Sequence, residues 1–501
     1  MAHLRHLIVM IPGIGGSVLS SPDGTSAWDV TARGLGHVLV RPSALDLDRH
    51  PDLMPTSLID TLTVLRPWFV VPGYDGMTHN LRTYFGAGIK VVDYRAGQVV
   101  PSDVDVLRVP YDFRESVVKA ADVVGRAVTA AVGASGRQVI VLAHSLGGLV
   151  ARYWIGPGAG WRHCRALITL GTPHRGAPRA LDWLFNGVGL GCLRYPAATR
   201  VLRRWPSVYE LLPQYPAVLV IEDGTLGAGV TVEPVDLPGH VVRRSGDPAV
   251  AGDVLRRASA AARVHEDIAA GWQSVQEDRK PALVPYFGRG HHTLSRATLA
   301  GRRVRVTKEE PEWRGNVDWR GDGTVPALSA IPAELSQRAE LVQALPDKHG
   351  PMGSAVGMMQ QLVTLQGDDI PIRGSDRPSR PWVGWDVDDL VVAGSEIEVG
   401  AQLHHGAEGL PQGTGSAATV TLANGDPSTG PGPTRHPMTP VEDGWRVVLP
   451  PPLTGVHDIH VQISDAWYGT AVHGSTQLAV LDGVQDGDEP QPEGADIEDD
   501  L

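Results

Sequence analysis

The apolar run Val139-Ile140-Val141-Leu142 ends in Ala143-His144-Ser145-Leu146-Gly147-Gly148, and a helical pattern follows at once from Leu149 to Trp154. No other feature constrains the chain as much. A short run of aliphatic residues fits a strand buried on both faces. A serine with Ala143 two residues before it and Gly147 two residues after it fits a strand–turn–helix corner in which only small side chains clear the approach of strand and helix. Such a corner lifts the serine hydroxyl out of the sheet and turns the next N–H, that of Leu146, toward an oxyanion. The usual spelling is G-x-S-x-G, and Ala143 adds a single methyl group to it.

The alternation continues through residues 1–370. Strand candidates are Leu7–Ile11, Val106–Val109, Val139–Leu142, Ala166–Leu170 and Leu283–Phe287. The clearest helix is Glu115–Val132, with Val117, Ala121, Val124, Val128 and Val132 on one face and Gly133 as its stop. Short apolar strands separated by amphipathic helices predict an α/β fold with a parallel sheet covered on both sides. Between Thr172 and Lys280 the alternation breaks into an Arg-, Trp- and Pro-rich stretch with a long amphipathic helix around Val250–Val275. An insertion after a sheet strand is where a cap belongs, here about 177–280.

At 501 residues the chain is too long for one core. Pro371–Pro381 reads as a linker. Beyond it, Glu396–Leu403, Ala418–Leu422, Trp445–Leu449, Val456–Ile463 and Thr476–Leu481 alternate with period two between Gly/Pro/Asn/Asp turns, which predicts a small all-β sandwich over 382–481. The segment 482–501 carries nine of the acidic side chains behind the net charge of −12, has no basic one, and reads as a disordered tail. No basic stripe suggests nucleic acid. No apolar run reaches the length of a membrane span, which leaves peripheral contact as the expected mode at a membrane. Leu7–Ile11 runs straight into Pro12-Gly13 and reads as a core strand, not a signal peptide. Cys164 and Cys192 are the only cysteines and are expected as thiols in a cytoplasmic protein.

A serine nucleophile needs a base, a group that orients the base and an oxyanion hole. When the acid and then the histidine follow the serine, the best acid is Asp322, between glycines in Arg320-Gly321-Asp322-Gly323-Thr324-Val325-Pro326. The best base is His349, in Pro346-Asp347-Lys348-His349-Gly350, ahead of the helical pattern Ser354–Leu365.

With these residues in place the chain resembles the lecithin:cholesterol acyltransferase family, which includes phospholipid:diacylglycerol acyltransferases and lysosomal phospholipase A. The motifs that carry the resemblance are Ile11-Pro12-Gly13-Ile14-Gly15-Gly16-Ser17, Tyr111-Asp112-Phe113-Arg114, Ala143–Gly148, Leu170-Gly171-Thr172-Pro173-His174-Arg175-Gly176, Pro206-Ser207-Val208-Tyr209-Glu210-Leu211-Leu212-Pro213, Gly321–Pro326 and His349-Gly350, in family order. They span residues 7 to 350 and leave the β-sandwich outside. The resemblance implies an α/β-hydrolase with a helical cap, Ser145 as nucleophile, Asp322 as acid and His349 as base, and an oxyanion hole from the N–H groups of Ile14 and Leu146. It implies a serine esterase or acyltransferase of lipid-like esters, phospholipid or acylglycerol, working through an acyl-enzyme with no cofactor and no metal. Hydrolysis is favoured over transfer because water is always at hand. Trp183 and Phe185, in the apolar cap cluster, are expected along the acyl chain.

Plainer readings stand beside these. His144 is expected to point away from Ser145 and pack, and His174 to brace the site. Asp318 and Asp347, rivals in the acid and base neighbourhoods, are expected at the solvated surface. Gly13-x-Gly15 lacks the third glycine of a dinucleotide fingerprint. The pairs His291-His292 and His404-His405 lack carboxylate company and are expected in solvated loops. A competing function is a regulated effector or adaptor whose β-sandwich binds a protein partner.

Overall fold

The structure is a computed structural model that describes residues 4–29, 37–39, 42–60, 63–66, 69–71, 73–133, 136–190, 193–221, 229–232, 248–300, 303–311, 320–336, 338, 342–352, 357–367, 381–404, 417–424, 432–464 and 471–481. All but the last residue of the expected linker, and the whole of the acidic tail, lie outside that set, as do Cys192 and Asp318.

Seven parallel strands form the central sheet, in the order Gln343–Leu345, Ala282–Gly288, Cys164–Leu170, Val139–His144, Leu7–Ile11, Val106–Arg108, Val91–Asp93. Their near-continuous apolar character has a simple origin. Leu7, Val9, Val139 and Val141 enter one core with the helices Val117–Val132, Leu146–Ile155 and Pro248–Ser274. Ile8, Met10, Ile140 and Leu142 enter another, with the helices Asp75–Phe85 and Gly357–Leu365. Each strand is therefore apolar on both faces. Successive strands deliver the loops that follow them to the same carboxyl edge, the edge where open parallel sheets hold their sites.

The cap holds the short helices Pro178–Leu181, Pro196–Leu202 and Pro206–Tyr209, a π-helical turn at Asp182–Asn186, and the helix Pro248–Ser274. It is not helical throughout. Val218–Ile221 pairs antiparallel with Gly229–Val232 and parallel with Arg296–Ala300, which pairs antiparallel with Arg303–Thr307. This second, mixed sheet draws on residues on both sides of the Ala282–Gly288 strand, so it does not announce itself as one block of sequence.

Residues 382–481 build two antiparallel-dominated sheets. One orders Trp382–Asp386, Ile397–His404, Gly444–Leu449, Thr439–Val441; the other orders Leu390–Val392, Ala471–Leu481, Gly455–Ser464, Ala417–Asn424, Thr434–Pro437. Val383, Trp385, Val399, Leu403, Val420, Trp445, Ile459, Val461 and Leu478 share their own core. This β-body is bonded tightly to the loop that leaves the Ala282–Gly288 strand. Trp382 Nε1–H donates to the Arg289 carbonyl at 3.2 Å, His404 Nε2–H to the Gly290 carbonyl at 3.2 Å, and Trp385 N–H to His291 Nδ1 at 3.1 Å. Gly384 lies so close to the Gly290 carbonyl that any side chain there would collide with it. The expectation of solvated loops for His291 and His404 is thus corrected. Both are buried at the junction, and His404 stacks on Trp382 with ring centroids 5.0 Å apart. His405 lies outside the described residues. No helix among the described residues is long and apolar enough to cross a membrane.

Candidate active site

Ser145 stands between the strand Val139–His144 and the helix Leu146–Ile155 with φ 53° and ψ −127°. A non-glycine residue held at positive φ stores strain that surrounding structure must hold in place. Here the Ser145 N–H is fixed on the Leu170 carbonyl at 2.9 Å, and small neighbours make room. A methyl group on Gly13 would sit 2.8 Å from Ser145 Cβ, and one on Gly147 would run into the Pro12 carbonyl. The spacing of small residues in the sequence is this steric requirement written out.

Two loops from other strand ends meet the serine. His349 Nε2 lies 3.0 Å from Ser145 Oγ, and His349 Nδ1 lies 2.7 Å from Asp322 Oδ2. An ionised carboxylate only accepts, so Nδ1 carries the proton and Nε2 accepts from the serine hydroxyl. The other carboxylate oxygen, Asp322 Oδ1, accepts the N–H groups of Thr324 at 2.9 Å and Val325 at 2.7 Å, which is why the acid sits in a tight Gly-flanked loop. The two loops are also joined directly, His349 N–H donating to the Asp322 carbonyl at 2.9 Å. Gly171, with φ 57°, comes so near that a Cβ there would lie 2.9 Å from both Asp322 Oδ2 and His349 Nδ1.

The Pro12–Ser17 loop faces the serine from the neighbouring strand, and three of its backbone groups are held by side chains. Tyr74 Oη accepts the Gly13 N–H at 2.8 Å, Tyr111 Oη–H donates to the Pro12 carbonyl at 2.9 Å, and Trp28 Nε1–H donates to the Gly15 carbonyl at 2.9 Å. With the Gly13 N–H taken, Ile14 is the next donor along the loop. Leu146 opens its helix, so its N–H has no carbonyl of the preceding turn to bond. Tyr74 does more than hold the loop. Its hydroxyl also lies 3.0 Å from His144 Nδ1, while His144 Nε2 lies 3.1 Å from the His349 carbonyl. A carbonyl only accepts, so the protons run one way, from Gly13 N–H to Tyr74, from Tyr74 to His144, and from His144 to the backbone of His349. His144 packs, as expected, but against the candidate base itself, ring centroids 5.0 Å apart.

Electrostatics separate these two imidazoles. Burial, with His349 beside it, pushes His144 down to about 3 and keeps it neutral. Burial also opposes a charge on His349, but the charge and hydrogen bond of Asp322, with Asp389 of the β-body, outweigh it and hold His349 above its ordinary value.

Other expectations fare variously. His174 is buried and bonds Thr169 Oγ1 at 3.1 Å. Asp347 is half-buried, and burial raises its carboxyl, which corrects the expectation of a solvated side chain. Trp183 and Phe185 lie half-buried against the larger core, on the π-helical turn; the cleft that opens on His349 is lined by other residues. Within the cap motif, Ser207 Oγ–H donates to the Phe113 carbonyl at 2.6 Å and Glu210 Oε2 accepts the Val117 N–H at 2.8 Å. Arg114, fully buried, is held by Asp112 at 2.7 Å. Sequence reasoning missed Tyr74 and Lys348. Tyr74 acts across a separation of 61 residues from Gly13, with no local pattern to signal it. Lys348 stands beside the base, and only its burial and its bonds to the β-body, both tertiary, mark it as more than a surface cation. No group of three or more His, Cys, Asp or Glu suited to a metal occurs among the described residues.

A parallel sheet with a strained serine at a strand–helix corner, and a histidine and an aspartate on later strand-end loops, defines the α/β-hydrolase fold. Residues 96–225 match the family model for lecithin:cholesterol acyltransferase, a segment that holds Tyr111–Arg114, the serine corner and the Pro206–Pro213 motif. The match lies in that segment and leaves the loops of Asp322 and His349 outside it. No curated protein matches significantly. Lipase BlEst2 of Bacillus licheniformis is similar in its propeptide form, at 10% identity and TM-score 0.34 over 95% of this chain and 93% of that one. Its mature form is similar at 12% identity and TM-score 0.32 over 72% and 92%. Superpositions this loose carry no inference about activity.

Proposed function

We propose that the chain is a serine esterase of lipid-like esters, phospholipid or acylglycerol, that acts through an acyl-enzyme on Ser145 and favours water over another alcohol as acceptor. The observation that carries this reading is His349 set between Ser145 Oγ at 3.0 Å and Asp322 at 2.7 Å. In the proposed reaction Ser145 Oγ attacks the ester carbonyl as His349 Nε2 takes its proton. The N–H groups of Leu146 and Ile14 meet the oxyanion, and His349 returns the proton to the departing alcohol. A second passage with water releases the acid and restores the serine. Trp183 and Phe185 are proposed along the acyl chain, supported by their half-buried position in the cap. The same reading divides the chain into a hydrolase unit to residue 370, a linker at 371–381 and a β-sandwich at 382–481.

A fluorophosphonate probe tests it. The wild-type protein should be labelled and should hydrolyse p-nitrophenyl esters. Ser145→Ala should lose labelling and about six orders of magnitude in rate. Equal labelling of both would overturn the reading.

A further inference from the structure

A cleft of about 540 Å³ opens on His349 and Gly350, and it has two owners. The hydrolase body supplies Thr324, Asp347 and Asp75 among its lining, while the β-body supplies Asp389, Asp458, Ser475, Thr476 and Gln477. The β-body wall is held in place relative to the base. Lys348, the residue before His349, is buried, donates to the Val387 carbonyl at 3.0 Å and pairs with Asp389. Asp458 and Gln477 face each other across the strands Gly455–Ser464 and Ala471–Leu481, with Gln477 Nε2–H donating to Asp458 at 3.0 Å.

The reaction dictates what this place must hold. The alcohol that leaves the first acyl step, or takes the acyl group in the second, exchanges its proton with His349. Its oxygen must therefore lie beside His349, the member of the triad that lines this cleft, and the cleft is the space next to that ring on the side of the β-body. The groups waiting there are carboxylates, hydroxyls and one carboxamide, and no lysine or arginine is among the described lining residues. Carboxylates accept from hydroxyl groups and repel a phosphate.

Building on the serine-esterase reading above, we infer that the β-body is one wall of the alcohol subsite, and that Asp458, Ser475 and Gln477 bind the hydroxyl groups of an uncharged polyol such as glycerol and disfavour its phosphorylated counterpart. When the polyol is the acceptor, its oxygen forms the new ester bond, His349 takes its proton, and the bond to Ser145 Oγ breaks with that proton returned to the serine.

The full-length protein is assayed on three esters of one acyl chain, 1-decanoylglycerol, 1-decanoylglycerol phosphate and p-nitrophenyl decanoate. The wild type should favour the glycerol ester over its phosphate by about 10-fold in kcat/KM, the scale of one unfavourable charge contact. Gln477→Ala and Asp458→Asn should raise KM for the glycerol ester about 5-fold, relative to p-nitrophenyl decanoate, with a smaller change in kcat. Asp458→Lys should narrow the discrimination against the phosphate. Ser475→Ala serves where one of these variants fails to fold. A wild type that prefers the phosphate, or variants that leave the ratio of the glycerol ester to p-nitrophenyl decanoate untouched, would overturn the inference while fluorophosphonate labelling of Ser145 still upheld the esterase reading. Loss of labelling and of all three activities in the wild type would instead sink the reading on which it rests.

Discussion

At His349 two influences oppose each other, and the winner sets a pH dependence. Burial disfavours the charged imidazole, while Asp322 favours it and prevails, so the ring titrates above its ordinary 6.5. A base must be neutral to accept the serine proton. The acidic limb of kcat/KM is therefore expected above that value, with activity lost as pH falls through it. In Asp322→Asn only the more weakly acting Asp389 still opposes burial, and the limb should move to lower pH while kcat drops by about three to four orders of magnitude through loss of the Nδ1–H tautomer. A pH–rate profile of the two proteins checks both parts, and a limb that stays put in the variant would mean Asp322 does not govern His349. Ser145 and Asp322 could be picked out in sequence because each sits in a short run whose small residues are sterically required, and His349 because it follows them in the order such sites share. Ile14 was named through the resemblance carried by the loop at Pro12–Ser17, and its role as oxyanion donor stands as proposed. The Tyr74–His144 relay was not legible, because its bonds join four distant segments and none of them depends on a neighbour in sequence.

Among the elements, the helix Val117–Val132 and the cap helix Pro206–Tyr209 are coupled through one buried carboxyl. Glu210 accepts the N–H of Val117 at the start of the long helix, and burial lifts its pKa from 4.5 to about 7. A folded-state value above the unfolded one means the folded protein holds its proton more firmly. The contribution to stability is then fully present below the unfolded value and is lost as pH rises through about 7, by at most about 3 kcal/mol. Glu210→Gln keeps an acceptor for Val117 and cannot ionise. Urea unfolding should find the two proteins alike near about pH 5, with the variant gaining on the wild type toward about pH 8. A constant difference across that range would refute the assignment. The long helices and the central strands were readable from periodicity, since tertiary packing and local pattern agree there. The mixed sheet of the cap was not read. Arg303-Val304-Arg305-Val306-Thr307 does alternate with period two and pairs with its near neighbour Arg296–Ala300, but the next strand of the sheet, Val218–Ile221, is separated from Arg296–Ala300 by the helix Pro248–Ser274 and a core strand. Strand pairing at that distance leaves no mark in the local pattern.

For the molecule as a whole, the question is whether the β-body is a passenger or part of the machinery. Five of its strands were foreseen, while Trp382–Asp386, Leu390–Val392, Thr434–Pro437 and Thr439–Val441 were not; nor was the docking, because the histidines that make the junction look like ordinary loop residues. His291 is fully buried, and burial brings it down to about 3, so it bridges as a neutral ring. Its Nδ1 accepts from Trp385 of the β-body, and its Nε2–H donates at 2.9 Å to the Pro346 carbonyl, three residues before His349. The next residues bind the acid loop, Thr293 Oγ1 accepting the N–H groups of Gly321 at 3.1 Å and Gly323 at 3.0 Å. One segment therefore ties the acid loop, the base loop and the β-body together. His291→Ala would leave the buried Trp385 N–H without a partner, at a cost of about 1–3 kcal/mol, and would free the Pro346 carbonyl from its anchor. Urea unfolding followed by tryptophan fluorescence should show that loss, with Trp382 and Trp385 at the junction as reporters. The rate on p-nitrophenyl esters should fall with it through kcat more than KM, since what loosens is the placement of His349 and not the acyl pocket. His291→Asn, which can still donate to Pro346, should recover part of the rate. If His291→Ala lost stability but kept its full kcat, the β-body would be joined to the hydrolase without supporting its chemistry.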